Sequence, residues 1–172
     1  MREFKLAWTG DEPLLSALSR PIHRASLVTY AGSPHIPTIW DEADRGVEIY
    51  AAMRDISERR EIGVVELSAA LTPGTAAMPI RLAAIPERIS GVHRLVVEDA
   101  DVAADGGLVL SLASGSEVTV VAGAFPCTLA ISGFPAFPFD FQPEYELRMY
   151  RREPLDLTPG HVAEAGPSPS QA

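Results

Sequence analysis

Cysteine is almost missing from this sequence: Cys127 is the only one among 172 residues. A single cysteine cannot form an intrachain disulfide, which excludes the disulfide-rich secreted class and fits a reducing compartment. No run of roughly 18 apolar residues is present, so we expect no membrane-spanning helix. Residues 1–10 contain no apolar signal core, so we also expect no secretory signal and a cytoplasmic location.

The common motifs of catalytic and metal sites are missing as well. The nucleophile elbow, the phosphate-binding P-loop and the dinucleotide-binding fingerprint do not occur. Histidine pairs at zinc-site spacing are also absent; the four histidines are His23, His35, His93 and His161.

Two further candidates, a calcium site and a nucleophilic cysteine, are not supported by the neighbouring residues. Asp99, Asp101 and Asp105 resemble part of a calcium loop, but an EF-hand needs a ligand and a glycine where this chain has alanines. Cys127 stands in an apolar stretch without a nearby base, so we predict a small buried side chain rather than a nucleophile. We therefore predict no catalytic residue, no metal site and no cofactor.

Basic residues are missing from residues 95–147, a range that we call the acidic stretch. It holds eight carboxylates and no Lys or Arg, and so carries most of the net charge of −9. Phosphate neutralisation needs Lys and Arg, which argues against nucleic-acid binding through this region. The charge fits a basic protein partner, and it equally fits a solvated face that keeps the chain soluble. The eight are Glu98, Asp99, Asp101, Asp105, Glu117, Asp140, Glu144 and Glu146.

The remaining composition is that of a globular protein, with 47% hydrophobic and 22% charged residues. This length predicts one domain. The apolar pattern ends near Pro154, and the residues that follow are rich in Pro, Gly, Ser and Ala. We predict a single globular domain over residues 1–155 and a flexible tail over residues 156–172.

Short strand-like stretches between turns dominate the chain. A brief helix is predicted after Asp11, ending by Pro21, because acids and a proline stand at its start. Apolar residues then alternate in stretches separated by turn signals, and no βαβ alternation is seen. The predicted fold class is α+β, mainly antiparallel β, with a curved sheet or a partly open barrel or sandwich and one or two short helices.

Glycine and proline clusters set the predicted turns. We expect a loop around residues 32–37, a turn at residues 72–75 and another at residues 105–107. Pro79 predicts an edge position for a strand over residues 78–84. Residues 145–149 alternate apolar and charged side chains, which predicts a half-buried last strand.

Residues 41–61 fit two patterns. Val47, Ile49, Ala51 and Met53 alternate, which favours a strand running into a polar hairpin turn before Ile62. Helix propensity over residues 51–61 favours a helix over residues 41–60 instead. The strand is the prediction and the helix is the alternative.

The hairpin over residues 108–121 allows a register prediction. A three-residue loop over residues 113–115 pairs Leu108 with Val120 and Leu110 with Val118, while Ser111 meets Glu117 on the other face. Such loops favour a left-handed last residue, and that position holds a glycine. The turn chemistry and the apolar match thus predict the same register.

Residues 125–143, which we call the Phe/Pro-rich segment, hold five of the six phenylalanines. Pro135 and Pro138 exclude a regular central strand there, although residues 128–131 still fit a short strand. The rings either lie against the core in an extended loop or form an exposed contact patch.

These observations leave three hypotheses for function. The first is a non-catalytic protein-binding module, such as an inhibitor or immunity-type protein, that presents the acidic stretch to a basic partner. Its predicted contact residues are Glu98, Asp99, Asp101, Asp105, Asp140, Glu144, Glu146, Phe137 and Phe139.

The second hypothesis is a structural subunit that docks through the Phe/Pro-rich segment. The third is a small enzyme with a dispersed site, formed by His35, Asp41 and Glu42 or by Asp140 and Glu144. The sequence alone leaves the oligomeric state open.

Overall fold

The computed structural model describes residues 1–70 and 76–155. The predicted turn at residues 72–75 and the predicted tail over residues 156–172 lie outside the described residues. The strands are β1 (Arg2–Phe4), β2 (Trp8–Thr9), β3 (Arg24–Tyr30), β4 (Ser33–Trp40), β5 (Gly46–Ser57), β6 (Arg60–Ala70), β7 (Met78–Ile80), β8 (Ile89–Asp99), β9 (Val102–Leu112), β10 (Glu117–Ala122), β11 (Leu129–Ser132) and β12 (Tyr150–Pro154). A helix, α1 (Leu14–Ser19), and a 3₁₀ turn (Leu147–Met149) complete the described elements.

The strands form two open, mostly antiparallel sheets that pack against each other. One sheet has the order β11-β10-β9-β8-β12, and β1 pairs with β9 in parallel. The other has the order β2-β6-β5-β4-β3-β7. The mainly antiparallel β fold predicted from the strand pattern is confirmed.

The main core lies between the sheets and is closed at one side by α1. Leu27 and Leu67 from one sheet and Leu108 and Val120 from the other are all buried in it. Helix α1 begins after Pro13 and adds three buried apolar side chains to this core. A second apolar cluster, which includes Val97 and Val121, covers the opposite face of the β8–β10 region.

Two strand predictions are confirmed in detail. The β9–β10 hairpin pairs Leu108 with Val120, Leu110 with Val118 and Ser111 with Glu117, in the predicted register. Residues 46–57 form β5, which pairs along its length with β6. The helix alternative for residues 41–60 is wrong, because pairing with β6 overrides the helix propensity of that segment.

The loop predicted around residues 32–37 is wrong, because these residues begin β4. The turn is shorter and consists of Ala31 and Gly32, whose φ angles of 49° and 78° place both in the left-handed region. Pro34 and Pro37 are tolerated because β5 pairs only with residues 38–40 of β4. The prolines therefore lie where β4 has a strand neighbour on one side only.

The turn predicted at residues 105–107 is also wrong. The strand β9 runs through these residues, and the register shifts so that Leu95 meets Gly107 while Val96 meets Asp105. Gly106 is the extra residue of a β-bulge, a common position for glycine within a strand. The turn between β8 and β9 instead contains Ala100, with a φ of 54°.

The last strand begins later than predicted. Leu147 and Met149 belong to the 3₁₀ turn and are each 48% exposed, so the alternating pattern over residues 145–149 does not form a half-buried strand. The strand β12 starts at Tyr150, which is buried and pairs with Val97. The strand predicted over residues 78–84 is shorter and consists of β7 alone, but its edge position is as Pro79 predicted.

Candidate functional site

The acidic stretch is largely neutralised by arginines from outside it. Five of its carboxylates form ion pairs with arginines of β6, β8, β12 or the 3₁₀ turn. The exposed pairs among them contribute little to stability, but they reduce the negative field at the surface. The pairs are Glu98–Arg151, Asp99–Arg60, Asp105–Arg94, Glu117–Arg152 and Glu146–Arg148.

The other three acids of this stretch have different surroundings. Glu144 is half-buried, and its Oε2 accepts the Gly63 N–H at 2.9 Å. Burial raises the pKa of Glu144 above its usual range, and the hydrogen bond from Gly63 opposes this only in part. Asp101 and Asp140 are exposed, and no ion pair is formed by either within the described residues.

Asp105 lies inside the molecule rather than on its surface. It is 4% exposed, and its carboxylate accepts the Leu6 N–H at 2.8 Å and faces Arg94 at 3.3 Å. The β-bulge at Gly106 changes which side chains of β9 face inward, and this carboxylate fixes the chain between β1 and β2 to the sheet. Asp105 was predicted to contact a partner, but its carboxylate is buried and holds the fold together instead.

Asp105→Asn is expected to lower the free energy of unfolding by about 1.5 kcal/mol, since it weakens a buried hydrogen bond to a charged group. Urea unfolding measures the change. Asp101→Asn is the matched control in the same stretch, and its effect should stay within about 0.5 kcal/mol. Equal losses for the two variants would contradict the buried role of Asp105.

The predicted aromatic contacts also face inward. Phe137 and Phe139 are half-buried against the main core, with ring centroids 5.5 Å apart, and Phe134 packs beside Phe137. Phe141 packs against the second cluster. Most rings of the Phe/Pro-rich segment thus lie against the core, whereas Phe125 is 59% exposed.

The residues of the predicted dispersed site are not gathered in one place. His35 lies in β4, and Asp41 follows the end of that strand, roughly 20 Å further along an extended chain. Asp41 accepts the N–H groups of Ala43 and Arg45. Burial tends to raise the pKa of Asp41, but the bonds from Arg45 and Ala43 outweigh it and hold the pKa below its usual value.

A second histidine lies nearer to these carboxylates. A small cleft of about 230 Å³ is lined by His23, Asp41 and Glu42 together with Arg20 and Arg45. Asp41 also forms ion pairs with Arg20 and Arg45, so its carboxylate is already occupied by contacts that hold the β4–β5 loop in place. Among the described residues, no group of three His, Cys, Asp or Glu side chains is placed to hold a metal ion.

A larger cleft of about 690 Å³ is the best candidate for a binding site, and we call it the aromatic cleft. One wall is the β3–β4 hairpin and the other is the loop between β10 and β11. Its volume is typical of sites that bind small molecules or a few side chains. The lining residues are Tyr30, Ala31, Ser33, His35, Phe125, Pro126, Cys127 and Thr128.

Local hydrogen bonds hold the second wall in a tight turn. The Gly123 N–H donates to the Thr128 carbonyl at 2.8 Å, and the Thr128 hydroxyl donates to the Phe125 carbonyl at 2.6 Å. Cys127 has a φ of 59°, in the left-handed region, and its side chain is exposed. The prediction of a buried Cys127 is therefore wrong, because the turn carries this residue outward.

A hydrogen bond between His35 and Cys127 joins the two walls. The Nδ1 atom of His35 lies 2.6 Å from the Cys127 carbonyl oxygen, across 92 positions of sequence. The ring of His35 also packs against Tyr30, with centroids 5.7 Å apart. Tyr30 is not among the site residues predicted from the sequence, and no local sequence pattern connects its hairpin with the loop that carries Phe125.

Comparison with known proteins gives no further assignment. No family model, no curated protein and no solved structure matches the chain. The described residues contain no helix long and apolar enough to cross a membrane.

Proposed function

We propose that the chain is a non-catalytic protein-binding module whose contact surface is the aromatic cleft. One observation carries the proposal: Tyr30 and Phe125 are each 59% exposed, and both line a cleft whose described lining residues include no Asp, Glu, Lys or Arg. Large aromatic side chains supply much of the binding energy at the centres of protein interfaces. A cytoplasmic location is part of the proposal, supported by the single cysteine.

This proposal combines two of the hypotheses drawn from the sequence. The contact uses residues 125–128, which begin the Phe/Pro-rich segment, rather than the inward-facing Phe137 and Phe139. The ion pairs of the acidic stretch give the basic-partner hypothesis less support. The net charge of −9 still favours attraction of a basic partner at long range.

An enzymatic function has less support at this site. His35 bonds to the carbonyl oxygen of Cys127 and not to its thiol. A cysteine nucleophile requires a base within hydrogen-bond reach of its sulfur. The contact between the two residues therefore supports a structural link between the cleft walls.

Affinity capture from cells tests the proposal. The tagged wild-type chain should retain a partner through a high-salt wash, because contacts in an uncharged cleft are not screened by salt. The double variant Tyr30→Ala, Phe125→Ala should lose that partner, with affinity at least about 30-fold lower. Both side chains are exposed, so the fold should persist.

Met149→Ala is the matched control, since Met149 is an exposed apolar residue that does not line the cleft. It should bind like wild type. A partner retained by the double variant would overturn the cleft as the contact surface. A partner lost by wild type at high salt would favour the acidic stretch instead.

A further inference from the structure

The hydrogen bond between the cleft walls determines what His35 can offer to a bound group. A carbonyl oxygen only accepts hydrogen bonds, so the Nδ1 atom of His35, 2.6 Å from the Cys127 oxygen, carries the hydrogen. In the neutral ring the second nitrogen, Nε2, is then an acceptor. A group that satisfies Nε2 must therefore be a hydrogen-bond donor.

The rest of the cleft restricts that donor further. No carboxylate of residues 1–70 or 76–155 lines the cleft, so a Lys or Arg placed there would lose water without gaining an ionic partner from these residues. The Thr128 hydroxyl already donates to the Phe125 carbonyl. The exposed rings of Tyr30 and Phe125, which both line the cleft, favour a flat apolar group. The cleft is thus complementary to an uncharged aromatic ring that carries a donor.

We propose that the aromatic cleft receives a tryptophan side chain of the protein partner, with the indole N–H donated to Nε2 of His35. Indole is uncharged, aromatic and a donor only, whereas a phenylalanine ring would leave Nε2 without a partner. The 690 Å³ volume leaves room for the backbone beside the indole. This inference rests on the proposed function and names the group that the cleft recognises.

A titration of the full chain with N-acetyl-tryptophanamide tests the inference without any variant. Amide NMR signals of residues 30–35 and 125–128 should shift at millimolar probe and pH about 7.5. The same probe methylated on the indole nitrogen should bind at least about fivefold more weakly, since one hydrogen bond is lost. N-acetyl-phenylalaninamide should be weaker by a similar factor.

Several outcomes would overturn the inference. Equal binding of the methylated and unmethylated probes would remove the role of Nε2. Shifts confined to residues outside the cleft, or no shift at all, would remove the cleft as a tryptophan site. Concentration-dependent self-association that the Tyr30→Ala, Phe125→Ala variant abolishes would assign the cleft to a second copy of the chain.

The probe titration and the capture experiment can fail separately. Loss of the captured partner in the double variant, without probe binding, would leave the proposed function standing and reject tryptophan. Probe binding with a captured partner that the double variant retains would reject the cleft as the protein contact. Agreement of both, with a Trp→Phe change in the captured partner lowering affinity about tenfold, would support the whole proposal.

Discussion

Gly133→Ala is expected to lower the free energy of unfolding by about 3 kcal/mol, combining backbone strain with a steric clash. Gly133 has a φ of 102°, where a side chain is strongly disfavoured. A Cβ atom there would lie 1.9 Å from the Glu117 carbonyl oxygen, a backbone atom of β10. The end of β11 would have to separate from β10 to accommodate it.

Gly115→Ala separates the two contributions to this loss. Gly115 has a φ of 91°, and a Cβ atom there would meet nothing within 4 Å. Its substitution should cost only the backbone term, about 1–2 kcal/mol. Urea unfolding of both variants gives the comparison. Equal losses would show that the contact with Glu117 is relieved without cost.

The position of Gly133 connects this local constraint to the site. The chain leaves β11 at Gly133 and places Phe134 and Phe137 against the main core. The same strand, β11, begins just after the turn that carries Phe125 and Cys127. Loosening β11 at one end should therefore weaken the inward packing of the Phe/Pro-rich segment more than the wall of the aromatic cleft.

Local sequence patterns predicted those strands whose partners are close in the chain. The β9–β10 register followed from the match of apolar residues and from Gly115 in the left-handed position. The β5–β6 hairpin followed from the alternation after Val47 and from the polar turn. In each case both strands and the turn lie within about 25 residues, so local chemistry determines the pairing.

Turns predicted from glycine and proline were wrong where strand pairing with a distant part of the chain explains these residues. Pro34 and Pro37 stand in a strand because β5 leaves that part of β4 unpaired on one side. Gly106 stands in a bulge because β8 and β9 shift register there. Neither the missing neighbour nor the bulge has a local signature that distinguishes it from a turn.

Acidic and basic residues that are separated along the sequence lie close together in the folded chain. The acidic stretch contains no basic residue, yet Arg60 and Arg94 precede it and Arg151 and Arg152 follow it. Antiparallel pairing of β8 with β12 brings two of these arginines beside Glu98 and Glu153. Linear charge runs therefore describe a surface only after the strand order is known.

The aromatic cleft could not be predicted from the sequence, for a related reason. Its walls come from different sheets and meet through His35 and Cys127. The Phe/Pro-rich segment was predicted as a possible contact patch, but only its first residues line the aromatic cleft. Which rings are buried depends on how β11 returns along β10, and both ends of β11 adjoin residues in the left-handed region, Cys127 before it and Gly133 after it.

Glu87→Ala is expected to lower the free energy of unfolding by about 2 kcal/mol, because a buried acceptor of two hydrogen bonds is lost. Glu87 is 1% exposed, and its Oε1 accepts the N–H groups of Arg88 and Ser114 at 2.9 and 3.3 Å. These bonds tie the β7–β8 connection to the β9–β10 turn. Chemical unfolding at neutral pH measures the loss.

Glu87→Gln is the matched control, since it keeps an acceptor oxygen and removes the charge. Burial tends to raise the pKa of Glu87, but the bonds from Ser114 and Arg88 outweigh it and lower the pKa below the ordinary value of 4.5. The unfolded chain then binds the proton more readily, so the ionised carboxylate stabilises the fold above about pH 4.5, and this contribution disappears as pH falls through the folded pKa. The stability difference between wild type and Glu87→Gln should therefore shrink on acidification. A difference that grows instead would mean that the folded protein holds Glu87 protonated, with a hydrogen on the Oε2 atom that has no partner among the described residues.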